Sequence, residues 1–417
     1  MIRISTHMKK VLTFAVLTGV HFTLMANPIN FDFNEFRDSP FTPIIHIDTG
    51  YNDNLTREAS SQAAIDSTFV KVMPGIAYTY KPSASRFSIL YTIDAGHYFS
   101  SSEDNYTDHY LETNNLFSFN ARNNLSLIYS YHSTHEERGT ELSEGVLASL
   151  NLEEPVSYDI HDVAAGYTYG SKNASGQIKA GIGYQNKSYN NFRLYTSGNS
   201  EFGSQFSDYS ANLYSAAFIY RVRASTKMVF SLERNDKQYQ YAHSSNPSRD
   251  NVNDYYSIGT LWDISEKTYG ELSVGLQNKD FSSKNRSDFT GLSWKVKTGW
   301  LPQRHTKLSL IASLSAEDPD QFGDYVNETI ANLSWKQGWF ERFSTTILMG
   351  WENDDFTASN QAGSRVDDTY LYKLDMNYQF SHIINFGVYL SSEDKDSNRD
   401  IYRYKQRLIG LYTKIEL

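Results

Sequence analysis

Two short acidic stretches contain the residue types of a calcium-binding loop. Asp394–Asp400 has oxygen-bearing side chains at alternate positions, which is the ligand spacing of the EF-hand calcium loop. Arg399, however, occupies the position of that loop's turn glycine, and Lys405 occupies the position of its closing glutamate. Asp318–Asp324 matches the same pattern only in part. We interpret both stretches as solvated acidic loops, and the sequence predicts no metal ion or other cofactor.

Histidine and serine side chains of the kind used in hydrolysis lie close together in one segment. His132 and His135 are separated by two residues, and Ser130, Ser133 and Glu136 lie beside them. Hydrolysis would need a Ser or Asp nucleophile and a His that converge on one point. Barrel hydrolases generally have smaller barrels than the one this sequence predicts, so we predict that the chain is not an enzyme.

These side chains belong to short segments in which apolar and polar residues alternate. Lys227–Glu233 places Met, Phe and Leu on one face and Lys, Ser and Glu on the other. Glu271–Gln277 and Ser293–Lys297 repeat the pattern, and the chain ends on it with Ile409–Leu417. A period of two with the charges on one face indicates a half-buried β-strand. A Pro74–Gly75 pair within one such segment predicts a bulge or kink.

Short turns flanked by aromatic residues recur along the chain. Eight of them lie near Lys81–Ser83, Ala121–Asn123, Gly170–Lys172, Arg223–Ser225, Ile264–Glu266, Leu301–Gln303, Gln337–Trp339 and Ser381–His382. Longer polar stretches alternate with them, among them Ser100–Asp108, Glu136–Pro155, Asn190–Gln205, His243–Asn253, Glu317–Asn327, Asp354–Asp368 and Glu393–Asp400. Eight turns and nine long loops give about 18 antiparallel strands with both ends on the turn side.

The arrangement of turns, loops and aromatics favours a transmembrane β-barrel over a soluble sandwich. Short turns at one end, long loops at the other and aromatics at the turn level are typical of outer-membrane barrels. The polar face of each strand does not by itself distinguish a barrel from a sandwich, since in a sandwich this face would be exposed to bulk water. The apolar Leu417, in phase with the last strand at the end of the chain, favours the barrel.

Composition excludes other classes of protein. Aromatic residues make up 15% of the chain, with 31 Tyr and 24 Phe, which is too many for a disordered protein. Cysteine is absent, so disulfide frameworks and thiolate metal sites are excluded. The net charge is −10, and an acidic chain without a basic stripe argues against a nucleic-acid partner.

The first residues have the three parts of a secretory leader. Arg3, Lys9 and Lys10 are followed by an apolar stretch that ends at Ala26, a small residue suited to cleavage. We therefore predict a signal peptide over residues 1–26, a periplasmic segment over residues 27–43 and a barrel over residues 44–417.

If the apolar positions face lipid, the alternate positions face the lumen and carry many charges. The predicted pore-lining residues are Lys71, Asp94, Lys179, Lys227, Glu233, Glu271, Lys295, Lys297, Lys307, Lys336, Lys373, Asp375, Lys414 and Glu416. A ring of fixed positive charge would favour anionic solutes, whereas charges that pair across strands would only keep the pore hydrated. Inward aromatics such as Phe69 and Tyr412 would be able to stack on sugar rings.

The first strand and the loop after it also carry a family resemblance. The run Ile45–Arg57, which contains Tyr51 and the Asn52–Asn54 triplet, and the later Pro74–Gly75 pair resemble the putative β-barrel porin family associated with exopolysaccharide and capsule gene clusters. The resemblance is specific over about residues 44–80, and beyond them it rests on architecture and length. It implies an outer-membrane barrel for polysaccharide export or biofilm matrix secretion, and it brings no catalytic residues.

Together these observations predict a Gram-negative outer-membrane channel with periplasmic termini. The partners expected are outer-membrane lipid and lipopolysaccharide, a polysaccharide cargo, periplasmic polysaccharide-export proteins and the barrel assembly machinery, and no nucleic acid. Two alternatives remain open: a general or substrate-specific porin for small-solute uptake, and a structural or adhesive surface barrel. A long loop, with Glu136–Pro155 the first candidate, is expected to fold inward as a constriction or gate.

Overall fold

The alternating segments form eighteen long β-strands in the computed structural model of the chain. The structure describes residues 40–59, 64–145, 152–197, 200–241, 247–264, 267–319, 323–358 and 364–417. The predicted signal peptide therefore lies outside the described residues. The first strand begins at Phe41, a few residues before the predicted start of the barrel.

The strands are named β1 to β18 in chain order. They are β1 Phe41–Asn52, β2 Ser67–Tyr80, β3 Arg86–Tyr98, β4 Tyr106–Asn120, β5 Asn123–Glu136, β6 Val156–Tyr169, β7 Gly176–Tyr189, β8 Tyr209–Arg223, β9 Thr226–Tyr239, β10 Asn251–Ile264, β11 Thr268–Phe281, β12 Phe289–Gln303, β13 Thr306–Glu317, β14 Tyr325–Gly338, β15 Phe343–Thr357, β16 Arg365–Gln379, β17 Ile384–Ser397 and β18 Tyr404–Glu416.

Each strand pairs antiparallel with the next, and the last strand pairs with the first. The closing ladder runs from Ile44 opposite Glu416 to Asn52 opposite Leu408. Closure removes both sheet edges, and this closed antiparallel barrel of 18 strands confirms the predicted fold. Four 3₁₀ segments and a short hairpin, Tyr195–Ser197 with Ser200–Phe202, lie in the loops. Within the described residues no helix is long and apolar enough to cross a membrane.

Side chains alternate between the two faces of the sheet, as the sequence predicts. In β9 Phe230 and Leu232 are exposed on one face. Val229, which precedes Phe230 and points to the other face, is buried. In β18 Ile409 and Leu411 are exposed while Gly410 is buried. Since a folded chain in water would bury such apolar side chains, the exposed face of the barrel is the one suited to lipid.

Aromatic side chains form a belt at the turn end of this exposed face. The exposed members beside the turns include Phe41, Tyr80, Phe119, Tyr169, Tyr220, Trp300, Trp335 and Phe380. Tyr and Trp suit this level because their rings are apolar and their tips are polar. The aromatic residues predicted beside the turns therefore lie at the level where a membrane barrel meets the membrane–water interface.

One short turn is displaced and one local prediction was wrong. The turn predicted near Leu301–Gln303 lies directly after it at Arg304–His305, because β12 continues to Gln303 with a register shift after Trp300; Pro302 cannot donate to the ladder, which accounts for the irregularity. The Pro74–Gly75 pair causes no bulge, because the β2–β3 register is the same on both sides of it. A side chain at position 75 would lie 2.6 Å from Thr92 Cγ2, so the glycine instead permits close packing.

The strands also extend farther toward the loops than the sequence predicts. Asp354, Asp367 and Asp394 fall in predicted loops but belong to β15, β16 and β17. A strand that has left the lipid can carry polar residues on both faces, so polarity alone marks the edge of the membrane and not the end of the strand.

Candidate functional site

The candidate site is the lumen, which is formed by the face opposite the exposed apolar residues. The register places all fourteen charged residues predicted to line the pore on this inward face. Cross-strand partners share a face, so Lys71 opposite Asp48, and Lys414 opposite His46, point inward together.

The two sides of the lumen differ in how accessible their side chains are. On β3 every inward residue from Ser88 to Tyr98 is buried. On β14 only Val326 among the inward residues is buried. Ile311 on β13 faces inward and is still 39% exposed, so open space lies in front of it. The accessible part of the lumen therefore runs along β12–β16.

Four lysines lie on this open side between mid-height and the turns, and we call them the lysine patch: Lys295, Lys297, Lys307 and Lys336. Lys307 lies directly opposite Lys336 in the β13–β14 ladder, although like charges in directly opposed positions destabilise a sheet. Glu271 lies opposite Lys297 and is the acidic residue of the predicted set on the neighbouring strand. The patch therefore gives this side of the lumen a positive charge.

The other predicted residues lie elsewhere on the inward face. Lys179 and Lys227 are at the turn end of β7 and β9, and Glu233 is at mid-height on β9. Lys373 and Asp375 are on β16, with the Lys373 Nζ 5.1 Å from the centre of the Tyr389 ring. Lys414 forms an ion pair with Glu416 two residues later on the same strand, so this pair is not the cross-strand pairing that the second interpretation expects.

The region around Lys71 and Asp94 is packed. The Lys71 Nζ lies 5.3, 5.7 and 5.5 Å from the ring centres of Phe69, Tyr98 and Tyr106. Phe69 is only 1% exposed, so it does not offer a free ring to a sugar. Asp94 accepts a hydrogen bond from the Tyr106 hydroxyl at 3.2 Å.

Tyr412, the second predicted stacking residue, is part of an aromatic group at mid-height. Its ring stacks against His46 with 5.4 Å between ring centres, and its hydroxyl donates to Asp375 at 3.3 Å. The neighbouring Tyr389 donates to Asp48 at 2.7 Å. Contacts with other side chains of the barrel wall therefore hold these rings in place.

The loop between β5 and β6 enters the lumen, and we call residues 137–145 the inward loop. Leu142 is buried with Leu152 against Val156, Tyr158 and other inward residues of β6 and β7. This apolar contact fixes the loop to one inner wall. The sequence expectation that this loop folds inward agrees with its course.

Two residues farther on, the inward loop is bound to a distant part of the wall. Glu144 forms ion pairs with Arg365 on β16 at 2.6 Å and with Lys395 on β17 at 2.5 Å. Asp367 binds the same two cations, at 2.5 Å from Arg365 and 3.1 Å from Lys395. Because β5 and β16 are seven strands apart around a barrel of 18, the loop crosses the lumen.

The start of the inward loop is held by the neighbouring loops. Glu137 pairs with Arg57 at 2.8 Å, and the Arg57 guanidinium lowers the pKa of Glu137 to about 2. Arg138 donates to Asp104 at 2.8 Å. Gly139 has φ of +83°, and a Cβ there would lie 2.0 Å from the Thr56 carbonyl oxygen, so only glycine fits this close approach.

Asp318, at the start of the second predicted acidic loop, is an ion-pair centre within the barrel. Each of its two carboxylate oxygens forms an ion pair with a lysine Nζ at 2.6 Å, Oδ1 with Lys279 and Oδ2 with Lys237. Asn251 also donates to Oδ1 at 3.1 Å. Burial alone would raise the pKa of Asp318, but the two ammonium groups hold this pKa well below its ordinary value. The interpretation of this residue as solvated was therefore wrong.

We expect Asp318→Asn to lower the free energy of unfolding by about 3–5 kcal/mol, the usual cost of breaking a buried ion pair. The substitution leaves two lysines without their shared anion, one of them only 2% exposed. Because the pKa of Asp318 is depressed, its contribution is complete above about pH 4 and is lost as the pH falls farther. Thermal unfolding of the purified barrel at pH 7 and pH 3 checks this.

The control for that prediction is Asp280→Asn, an exposed carboxylate beside Lys279 on the outer face. It should leave the unfolding temperature nearly unchanged at both pH values. An equal loss in the two variants at pH 7, or a difference between the wild type and Asp318→Asn that shrinks between pH 7 and pH 5, would contradict the role given to Asp318.

The histidine and serine residues do not converge on one point. His132 lies 3.4 Å from Glu112, and His135 lies 3.0 Å from Asp108. Ser130 donates to Asp162 at 3.2 Å, not to a histidine. Within the described part of the chain these side chains form polar contacts with carboxylates of the barrel strands.

Comparisons with known proteins agree with the barrel fold. A family model described as putative beta-barrel porin 2 matches residues 41–417. The search of curated proteins found no match. Among solved structures, a BenF-like porin from Pseudomonas fluorescens Pf-5 aligns with a TM-score of 0.50 at 7% identity, over 90% of this chain and 98% of that one.

Two other solved structures align over most of the chain. OpdQ from Pseudomonas aeruginosa has a TM-score of 0.48 at 11% identity, over 90% of this chain and 97% of that one. The siderophore receptor PirA from Acinetobacter baumannii has a TM-score of 0.46 at 6% identity, over 92% and 81%. At these identities the likeness concerns the fold alone.

Proposed function

The chain belongs to the putative beta-barrel porin 2 family, and from that membership we propose that it conducts small anionic solutes across the outer membrane. The observation that carries the proposal is the inward loop, which crosses the lumen and is bound to both walls. A channel narrowed in this way admits small molecules beside the loop and excludes bulky ones.

The preference for anions follows from the lysine patch. Lys336 is exposed to the open part of the lumen, and Lys307 is directly opposite it. The conflict between two like charges is relieved whenever an anion lies between them. Fixed charges in a narrow aqueous passage concentrate counter-ions, so this side of the lumen favours carboxylates, phosphates or sulfates of low mass.

The lumen gives less support to polysaccharide export, the first expectation from the sequence. A polymer would have to displace the inward loop from Arg365 and Lys395. Phe69, one of the two residues considered for stacking on sugars, is buried. The alternative of a small-solute porin requires neither a displaced loop nor a free aromatic surface.

The orientation of the barrel follows from the same proposal. The short turns and both ends of the barrel lie on the periplasmic side, and the long loops face outward toward lipopolysaccharide. Insertion by the barrel assembly machinery is part of this proposal, as for other closed outer-membrane barrels. The inward loop then lies near the external entrance, and the lysine patch lies near the periplasmic exit.

Solute flux into liposomes that contain the purified barrel tests the function. A short dicarboxylate is expected to enter faster than a diamine of the same length, and a small sugar faster than a long oligosaccharide. Equal rates for the dicarboxylate and the diamine would contradict the anion preference. Loss of secreted polymer in a strain that lacks the gene, restored by complementation, would return polysaccharide export to first place.

A further inference from the structure

A row of side chains on the outer face marks where the apolar surface ends toward the loops, and we call it the boundary row. Its members lie directly opposite one another in successive ladders from β15 to β18: Met349, Tyr372, Ser392 and Arg407. The next row toward the turns is apolar or aromatic throughout: Ile347, Leu374, Leu390, Ile409 and Tyr51. In the next row toward the loops Asp394 lies opposite Lys405. The boundary row therefore lies at the edge of the lipid-facing band of the barrel.

The short side chain of Ser392 leaves a groove in the boundary row. Ser392 lies between Tyr372, which is 52% exposed, and the exposed Arg407. The groove has a volume of about 600 Å³, and the apolar Leu390 and Ile409 are among the residues that line it. A recess in an apolar surface loses packing contacts unless another group fills it. On a surface that faces lipid, an acyl chain is the group that fills it.

Arg407 differs from other basic residues on the loop side of the outer face. Arg234 is held by Asp254 through two hydrogen bonds of 2.8 Å, and Lys405 is held by Asp394 at 2.7 Å. Among the residues that the structure describes, no carboxylate forms an ion pair with the Arg407 guanidinium. The charge of Arg407 is therefore available to an anion from outside the chain.

The acidic residues around Arg407 form other contacts. Asp53 also lines the groove, and its Oδ1 accepts the backbone N–H of Arg407 at 2.6 Å. Asp396 pairs with Arg403 at 3.0 Å. A guanidinium group binds phosphate through two parallel hydrogen bonds, and it does so more specifically than an ammonium group. The outer face thus combines a phosphate-binding side chain with an apolar groove directly beside it.

We propose that this groove and Arg407 together bind a phosphorylated glycolipid of the outer leaflet, the lipid portion of lipopolysaccharide. One acyl chain lies in the groove beside Leu390 and Ile409, and a phosphate of the sugar head group pairs with Arg407. A free phosphate would use the arginine alone, and a zwitterionic phospholipid carries its own cation beside its phosphate. The proposal rests on the orientation given under the proposed function, with the loops facing outward, and not on conduction.

Native mass spectrometry of the purified full-length chain in a non-ionic detergent, titrated with diphosphoryl lipid A, tests the proposal. In Arg407→Gln the dissociation constant should rise at least about fivefold, the effect of one basic residue on binding to an anionic lipid. Ser392→Phe fills the groove and keeps the arginine, and it should weaken binding in the same direction. Both side chains lie on the outer face, so the strands should be retained, which circular dichroism checks.

The matched control is Arg234→Gln, which removes the same charge from the outer face of a distant strand. Arg234 lies at a similar distance from the turn end of its strand as Arg407 does, but it already has Asp254 as a partner. This control should bind lipid A as the wild type does. Wild-type affinity in either site variant, or an equal loss in Arg234→Gln, would overturn the proposal.

Two further ligands separate the phosphate from the acyl chains. Lipid A without its phosphates should bind the wild type at least about fivefold more weakly, and inorganic phosphate at the concentration of the lipid should not displace diphosphoryl lipid A. Displacement by inorganic phosphate, or equal binding of the two forms of lipid A, would overturn the proposal. Because binding in detergent involves no solute flux, the lipid site and the proposed function fail separately.

Discussion

Glu144→Ala is expected to increase the single-channel conductance of the barrel several-fold. The substitution removes both ion pairs by which the inward loop is attached to β16 and β17. Arg365 and Lys395 have side chains only 4% and 11% exposed, so these pairs are shielded from water. Loss of a buried pair costs about 3–5 kcal/mol, and 3 kcal/mol changes the ratio of attached to released loop by roughly 10².

The measurement is conductance in planar bilayers, together with the largest neutral polymer that enters the channel. In the variant both should increase, since the released loop no longer spans the lumen. Glu103→Ala, an exposed carboxylate in the β3–β4 loop, serves as the matched control and should behave as the wild type. An unchanged conductance and size limit for Glu144→Ala would show that the inward loop does not set the width of the passage.

Reversal of charge in the lysine patch is expected to change the channel from anion-selective to cation-selective. The variant replaces Lys295, Lys307 and Lys336 with Glu and leaves the opposed Lys297 and Glu271 intact. Local concentrations of small ions in charged clefts change by at least about tenfold with the sign of the field. The permeability ratio of chloride to potassium should therefore fall by on the order of tenfold.

The reversal potential in a salt gradient gives this ratio directly. A control triple variant replaces Lys172, Lys267 and Lys284, which are exposed at turns and loops, with Glu and so has the same net charge. It should keep the wild-type ratio. If both variants shift equally, the effect comes from total charge and not from the lysine patch. The ladder itself should tolerate the change, because one pair of opposed like charges replaces another.

The strands and the inward face were predictable from sequence because both depend on local alternation. Lys227 and Glu233 lie on the same face of β9 whatever the rest of the chain does, since a strand has a period of two. The same reasoning puts all fourteen predicted charges on one face of the sheet, and their contact with a solute stays a prediction.

The attachment of the inward loop was not predictable in this way. Glu144 contacts residues 221 and 251 positions later in the chain, and no local pattern relates them. Asp318 was misinterpreted for the same reason, because Lys237 and Lys279 come from two other strands. Long-range ion pairs depend on which strands end near one another, and that depends on the closed barrel as a whole.

The distance in sequence between Glu144 and its partners has a consequence for the order of folding. The inward loop is synthesised long before β16 and β17, and it cannot be attached until those strands have joined the sheet. Until then Arg365 and Lys395 lack this anion, and we expect residues 137–145 to be accessible to proteases. The contact therefore requires that β16 and β17 have joined the sheet, and resistance of this loop to proteolysis would report that a newly inserted barrel has reached this stage.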